Sequence, residues 1–121
     1  MLYLMRRKDG SIDAYSSGTL INPDCTTKSL SSREFRIDIL KHWKSPKSGA
    51  NYPMQWRVSI PSEQIELEIT PPFPEQELIT NRSTRVTYWE GAVAIDGTFK
   101  TKPIMGQGYV EMTGYAGKLT I

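Results

Sequence analysis

From Tyr52 to Ile60 every second residue is apolar: Tyr52, Met54, Trp56, Val58 and Ile60 alternate with Gln55, Arg57 and Ser59. Side chains two apart share one face of a strand, so this run is a strand with one dry face and one wet face. Pro61-Ser62 turns it, and Ile65, Leu67 and Ile69 then alternate with Glu66 and Glu68. Two such runs joined by a short turn predict an antiparallel hairpin, with Arg57 facing the glutamates. Thr70-Pro71-Pro72-Phe73-Pro74 ends the second strand, since proline cannot donate to a ladder.

The same grammar extends along the chain. Leu2 to Arg7 reads as a strand running into a tight turn at Lys8-Asp9-Gly10-Ser11, with Asp13 to Ile21 as its partner. A domain seldom starts in mid-strand, so a preceding segment is expected. Thr26 to Arg33 is polar and reads as a loop; Phe35, Ile37 and Ile39 alternate with Arg36 and Asp38 as a half-buried strand; Glu75 to Arg85 reads as a connection. No stretch carries three turns of amphipathic helix. Seven or eight short strands separated by turn signals predict one all-β domain over residues 1–121, an antiparallel sandwich or barrel. An eight-stranded barrel has room inside for side chains or for one small ligand.

Composition narrows the function classes. A chain of 121 residues makes one ordinary domain. Residues 1–60 carry 10 Lys and Arg against 5 acids (+5) and residues 61–121 carry 5 against 8 (−3), giving a net charge of +2. That imbalance is too small to argue for nucleic acid. With one cysteine (Cys25, in the turn Asn22-Pro23-Asp24) and one histidine (His42), an intramolecular disulfide is impossible and a Cys/His metal cluster lacks ligands. No metal or cofactor is expected. No apolar run approaches a membrane span. In Met1-Leu2-Tyr3-Leu4-Met5-Arg6-Arg7 the charges follow a short apolar run, the wrong order for an export signal.

The densest stretch is Tyr88-Trp89-Glu90-Gly91-Ala92-Val93-Ala94-Ile95-Asp96-Gly97. Tyr88, Glu90, Ala92 and Ala94 point one way and Trp89, Gly91, Val93 and Ile95 the other, so both faces are mostly apolar and cover on both sides is expected. Glu90 is then a carboxylate in a dry segment and is expected to be largely buried, neutral, paired or hydrogen-bonded. A second Tyr-x-Glu follows at Tyr109-Val110-Glu111. A hairpin turn near Lys100 and Thr101 would set Glu90 opposite Glu111, and two facing carboxylates do not both ionise cheaply.

With these residues in view, the chain resembles the AttH and carotenoid 1,2-hydratase (CrtC-like) lipocalin-like family. The matching stretches are Tyr88-Trp89-Glu90-Gly91-Ala92-Val93, Gly106-x-Gly108-Tyr109-Val110-Glu111-x-Thr113-Gly114-Tyr115, Trp43-x-Ser45-Pro46-x-x-Gly49-x-x-Tyr52-Pro53-x-x-Trp56, and Gln76-Glu77-Leu78. The resemblance implies an antiparallel lipocalin-like (calycin-type) β-barrel of about eight strands. It also implies that the chain is the C-terminal part of a longer protein, behind an N-terminal lipocalin-like domain and an export signal. Some members are described as secreted hydrolases.

Three functions follow as expectations. The first is a module that binds an apolar small molecule. The second is a hydratase-type lyase that adds water to an apolar alkene. There Glu90 would supply the proton and Tyr88 and Trp56 would shelter the cation, with Trp89, Tyr109 and Glu111 completing the ligand set. The third is a structural half-domain that packs on the N-terminal domain or self-associates. A plainer role stands beside each residue: Trp56, Trp89 and Tyr109 as core, Glu111 as structural, and Glu90 as a brace to Arg85 or the backbone. An open apolar cavity walled by Glu90 would favour the first two functions. A filled interior with a wide apolar outer patch would favour the third.

Overall fold

The computed structural model describes residues 1–117 and is built from nine antiparallel strands. Strands β1 (Leu2–Tyr3), β2 (Ser17–Ile21) and β3 (Thr27–Ser31) form a small sheet in that order. The larger sheet contains β4 (Arg36–Lys44), β5 (Asn51–Ile60), β6 (Ile65–Thr70), β7 (Glu77–Ile79), β8 (Thr87–Phe99) and β9 (Lys102–Met112). Its spatial order is β4-β5-β6-β8. The 13-residue β8 is long enough to take β6 along its second half and β7 along its first half on one side, with β9 along the other. Among the described residues, the helical content is one 3₁₀ turn at Pro61–Glu63, closed by Gln64 in the left-handed region (φ 53°).

The period-two run became β5, and its even residues do what their spacing demands. Tyr52, Met54, Trp56, Val58 and Ile60 all lie on one buried face. That face carries two clusters. Ala50, Tyr52, Met54 and Trp56 pack with Trp89, Val93 and Met112 at one end. Val58 and Ile60 pack with Leu30, Phe35 and Ile65 at the other, beneath the small sheet. The β5–β6 hairpin sets Arg57 opposite Glu68, with the charged groups 4.0 Å apart at the surface, a pair worth little to stability.

Four expectations are corrected. Thr26–Arg33 is not a loop: Thr27–Ser31 pairs with β2, because Leu30 supplies the small sheet's buried anchor against the second cluster. The partner strand expected from Asp13 begins only at Ser17; Asp13 instead accepts from the Tyr15 amide and from Arg7, and a single bridge joins Arg6 to Ile12. The 75–85 connection contains β7, a third strand against β8. Strand β8 is also dry on one side only. Trp89, Gly91 and Val93 are buried, whereas Ala92, Ala94 and Asp96 are exposed.

Candidate functional site

The turn between β8 and β9 falls where Lys100 and Thr101 suggested. Both residues have positive φ (49° and 68°), the type I′ geometry that suits a two-residue hairpin. Phe99 therefore pairs with Lys102, and the ladder runs on in register to Glu90 opposite Glu111 and Ala92 opposite Tyr109. Tyr88, Glu90, Tyr109 and Glu111 thus share one face, as the two Tyr-x-Glu repeats implied. That face is the outer one. Glu90 is half-buried, Glu111 is exposed and Tyr109 is 65% exposed. The expectation of a largely buried Glu90 fails: its even-numbered neighbours on β8 point away from the core, so the desolvation on which its role as a buried acid rested is not supplied. No ion pair joins it to Arg85. Tyr109 is held above its ordinary range by partial desolvation and by the charges of Glu90 and Glu111.

The two tryptophans of the expected ligand set go to the other face. Trp89 is fully buried, its indole N–H donating to the Pro74 carbonyl at 2.7 Å, and Trp56 is 7% exposed. Both are members of the first core cluster. The structure therefore brings Tyr88, Glu90, Tyr109 and Glu111 together and separates them from Trp56 and Trp89 by the thickness of the sheet. An open groove of about 380 Å³ also lies on the outer face, along β5, β6 and β8, lined by Arg57, Glu66, Glu68, Thr70, Asp96 and Thr98. None of the expected site residues lines it. Among the described residues no cluster of His, Cys, Asp and Glu could hold a metal ion, and no helix is long and apolar enough to cross a membrane.

The most tightly built polar group is one to which the sequence reading gave no role. Glu77, on β7, pairs with Trp89 and so faces inward. Its carboxylate accepts from Ser45 Oγ (2.6 Å) on one oxygen, and from Ser48 Oγ (2.5 Å) and the Tyr52 hydroxyl (2.7 Å) on the other. The chain between β4 and β5 is shaped to present those donors. Ser45 Oγ also accepts from the Lys47 and Ser48 amides (3.1 and 3.2 Å), Ser48 Oγ accepts from the Ala50 amide (3.1 Å), and Gly49 takes the positive φ (74°) that closes the turn. Tyr52 has no exposed surface; its ring stacks on Trp43 with centroids 6.2 Å apart and lies 5.7 Å from Tyr115.

Electrostatics locks this group. Burial alone would push the Glu77 carboxyl up. The three hydroxyl donors and nearby Lys47 overcome that and hold it below the usual carboxylate value. Burial, then the hydrogen bond to Glu77 and its negative charge, push Tyr52 far above the ordinary phenol value. An ionised acceptor and a permanently protonated donor do not exchange protons near neutrality, so the group ties the 45–49 turn to β7. The signal for it was present: Ser45, Gly49, Tyr52 and Glu77 all belong to the quoted stretches Trp43-x-Ser45-Pro46-x-x-Gly49-x-x-Tyr52 and Gln76-Glu77-Leu78. What no spacing revealed was that segments 25 to 32 residues apart would meet.

Comparison with known proteins bears on the fold and the family. No curated protein sequence matches the chain. A crystal structure assigned to AttH from Nitrosomonas europaea is similar over 93% of this chain and 33% of its own, with 32% identity and a TM-score of 0.78. Kievitone hydratase from Nectria haematococca is similar over 96% of this chain and 34% of its own, with 19% identity and a TM-score of 0.73, a likeness that carries the fold alone. The chain thus spans about a third of the length of each. The family model described as AttH-like matches residues 1–115, and on that match the chain belongs to the AttH-like family.

Proposed function

We propose that this domain is a packing module, a β-scaffold whose exposed strands are covered by another folded unit. The observation that carries the reading is surface. A 13.7 kDa monomer is expected to expose roughly 6,600 Å², whereas this chain exposes 8789 Å². The difference, roughly 2,200 Å², exceeds the roughly 800 Å² that one partner contributes to an ordinary stable interface. Large apolar side chains are part of it: Met105 is 87% exposed, Tyr109 65%, Ile21 64% and Phe73 55%. The buried face of β5 and β8 is meanwhile filled by the two core clusters. Sedimentation across a concentration series, together with binding of the apolar dye ANS, tests the reading. Self-association or strong dye binding is expected. A monomer that binds no dye overturns it.

A second reading, hydration of an apolar alkene, is supported by the outer-face group of Tyr88, Glu90, Tyr109 and Glu111. Two facing carboxylates do not both ionise cheaply, and a covering unit would supply the desolvation that keeps one carboxyl protonated near neutral pH and so able to donate to the alkene. In this reading the site is one wall, completed by the partner. Binding of an apolar ligand inside the sheet has less support, because side chains already occupy that face. The test is turnover of an apolar alkene by the chain together with its covering unit. Activity lost in Glu90→Gln with the fold retained supports hydration; no turnover by the unaltered protein overturns it.

A further inference from the structure

We propose that the free edge of β9 is a dimerisation edge, at which two copies of this chain pair antiparallel about a two-fold axis through Gln107 and join their large sheets into one. This rests on the packing reading above and names its surface and its partner.

The argument begins with which backbone groups face outward. The amide of Glu90 donates to Gln76 O and that of Lys100 to Gln64 O, so the even-numbered residues of β8 direct their N–H groups toward β6 and β7. The odd residues of β8 therefore bond to β9 through their partners at 102, 104, 106, 108, 110 and 112. That leaves the N–H and C=O groups of Met105, Gln107, Tyr109 and Glu111, and the carbonyl of Pro103, pointing away from the sheet. Among the described residues no strand takes them. From Lys102 to Gln107 the strand is exposed on both faces, and Gly106 has nothing within 4 Å of where a side chain would begin.

The large sheet ends at β4, β7 and β9; the three-residue β7 is too short to template a partner, and the two long edges differ in how they are protected. Strand β4, the opposite edge, carries Arg36, Asp38, Lys41, His42 and Lys44, and its register is broken around Lys41. Charges and bulges of that kind blunt an edge against pairing. Between Ile104 and Val110, β9 carries no charge and no break in register. A sheet with one blunted edge and one open edge pairs once and stops, which yields a closed dimer and not a filament.

Register follows from symmetry. A two-fold axis perpendicular to the sheet sets residues of the same face opposite one another, and centring it on Gln107 overlaps the strand over its whole length. Ile104 then lies opposite Val110 of the second copy, Met105 opposite Tyr109, and the small Gly106 opposite Gly108. The outward-facing odd residues all meet odd residues, so donors meet acceptors. Pro103, which has no N–H, falls at the end of the ladder opposite Glu111 of the second copy.

Sedimentation of the chain and of Gln107→Pro tests this, because proline at 107 removes an edge donor without touching a bond to β8. The expected result is a wild-type dimer that dissociates on dilution and a monomeric variant whose melt matches that of the wild type diluted to a monomer. A second measurement does not depend on that variant folding. In a Cys25→Ser background, Gln107→Cys should cross-link to itself under mild oxidation. Met105→Cys should not, because its copies would lie about 14 Å apart, beyond disulfide reach. A dimer that survives Gln107→Pro, or equal cross-linking at 105 and 107, overturns the β9 edge and leaves the packing reading standing. A monomer at every concentration that still binds ANS overturns the second copy as the partner. A monomer that binds no dye overturns both.

Discussion

Glu77 and Glu90 lie on adjacent strands, and their surroundings are opposite. Glu77 faces inward beside Trp89 and receives three hydroxyl donors. Glu90 faces outward and meets another carboxylate across the ladder. One side of the sheet has solved the problem of a carboxylate near an apolar core by surrounding it with donors. The other leaves two like charges in contact with water, where their repulsion is small. A carboxylate set in an apolar stretch of sequence is therefore not a buried carboxylate until the face is known, because one residue of register decides it.

The sharpest way to break the comparison is to remove each carboxylate in turn. Glu77→Ala leaves the hydroxyls of Ser45 and Tyr52 without an acceptor, and both residues are buried. At about 1–3 kcal/mol for each buried donor left unsatisfied, a loss of about 3 kcal/mol is expected. Glu90→Ala should change stability by less than about 0.5 kcal/mol, as surface substitutions do. Urea melts of the two variants against the parent measure the difference. Equal losses would show that the two faces are not energetically distinct.

The pH dependence of stability sharpens the same contrast. Glu77 has its folded pKa lowered, so its contribution is complete above the unfolded carboxylate value, near 4.5, and is lost as the pH falls through the folded value. Tyr52 has its folded pKa raised, so its contribution is complete below the unfolded phenol value, near 10.0, and is lost as the pH rises above it. A stability plateau between those limits is expected. Glu77→Ala should flatten the acid limb and Tyr52→Phe the alkaline limb, read from melting temperatures across pH.

How far the sequence could be read differs between the two faces for the same reason. Strand β5 was legible because its even residues are all apolar and its odd ones are not, so composition and geometry agree. The β8–β9 register was legible because Lys100-Thr101 is the only short break between two dense strands. Strand β7 was missed because three residues between prolines and a polar turn carry too little periodicity. Glu77 was missed as a site because its partners come from a turn 25 to 32 residues away, and pairing at that distance has no local signature. Alanine misled in the opposite direction: Ala92 and Ala94 made the outer face of β8 look dry, yet a methyl group is small enough to leave in water.

The smallest expected effect tests the outer face on its own terms. Glu90 and Glu111 are directly opposite on neighbouring strands, an arrangement in which like charges oppose pairing. Glu111→Gln removes the repulsion and keeps the shape, so it should stabilise the fold by a few tenths of a kcal/mol, and more at low salt than at high salt, since exposed charges are screened. Tyr109 reports the same change without unfolding anything. Part of what raises its hydroxyl is the charge of Glu90 and Glu111, so the variant should bring its titration, followed by ultraviolet absorbance, back toward the ordinary phenol value. A variant that destabilises the chain, or that leaves the Tyr109 titration where it was, would mean that the charge of Glu111 is felt neither across the ladder nor at Tyr109.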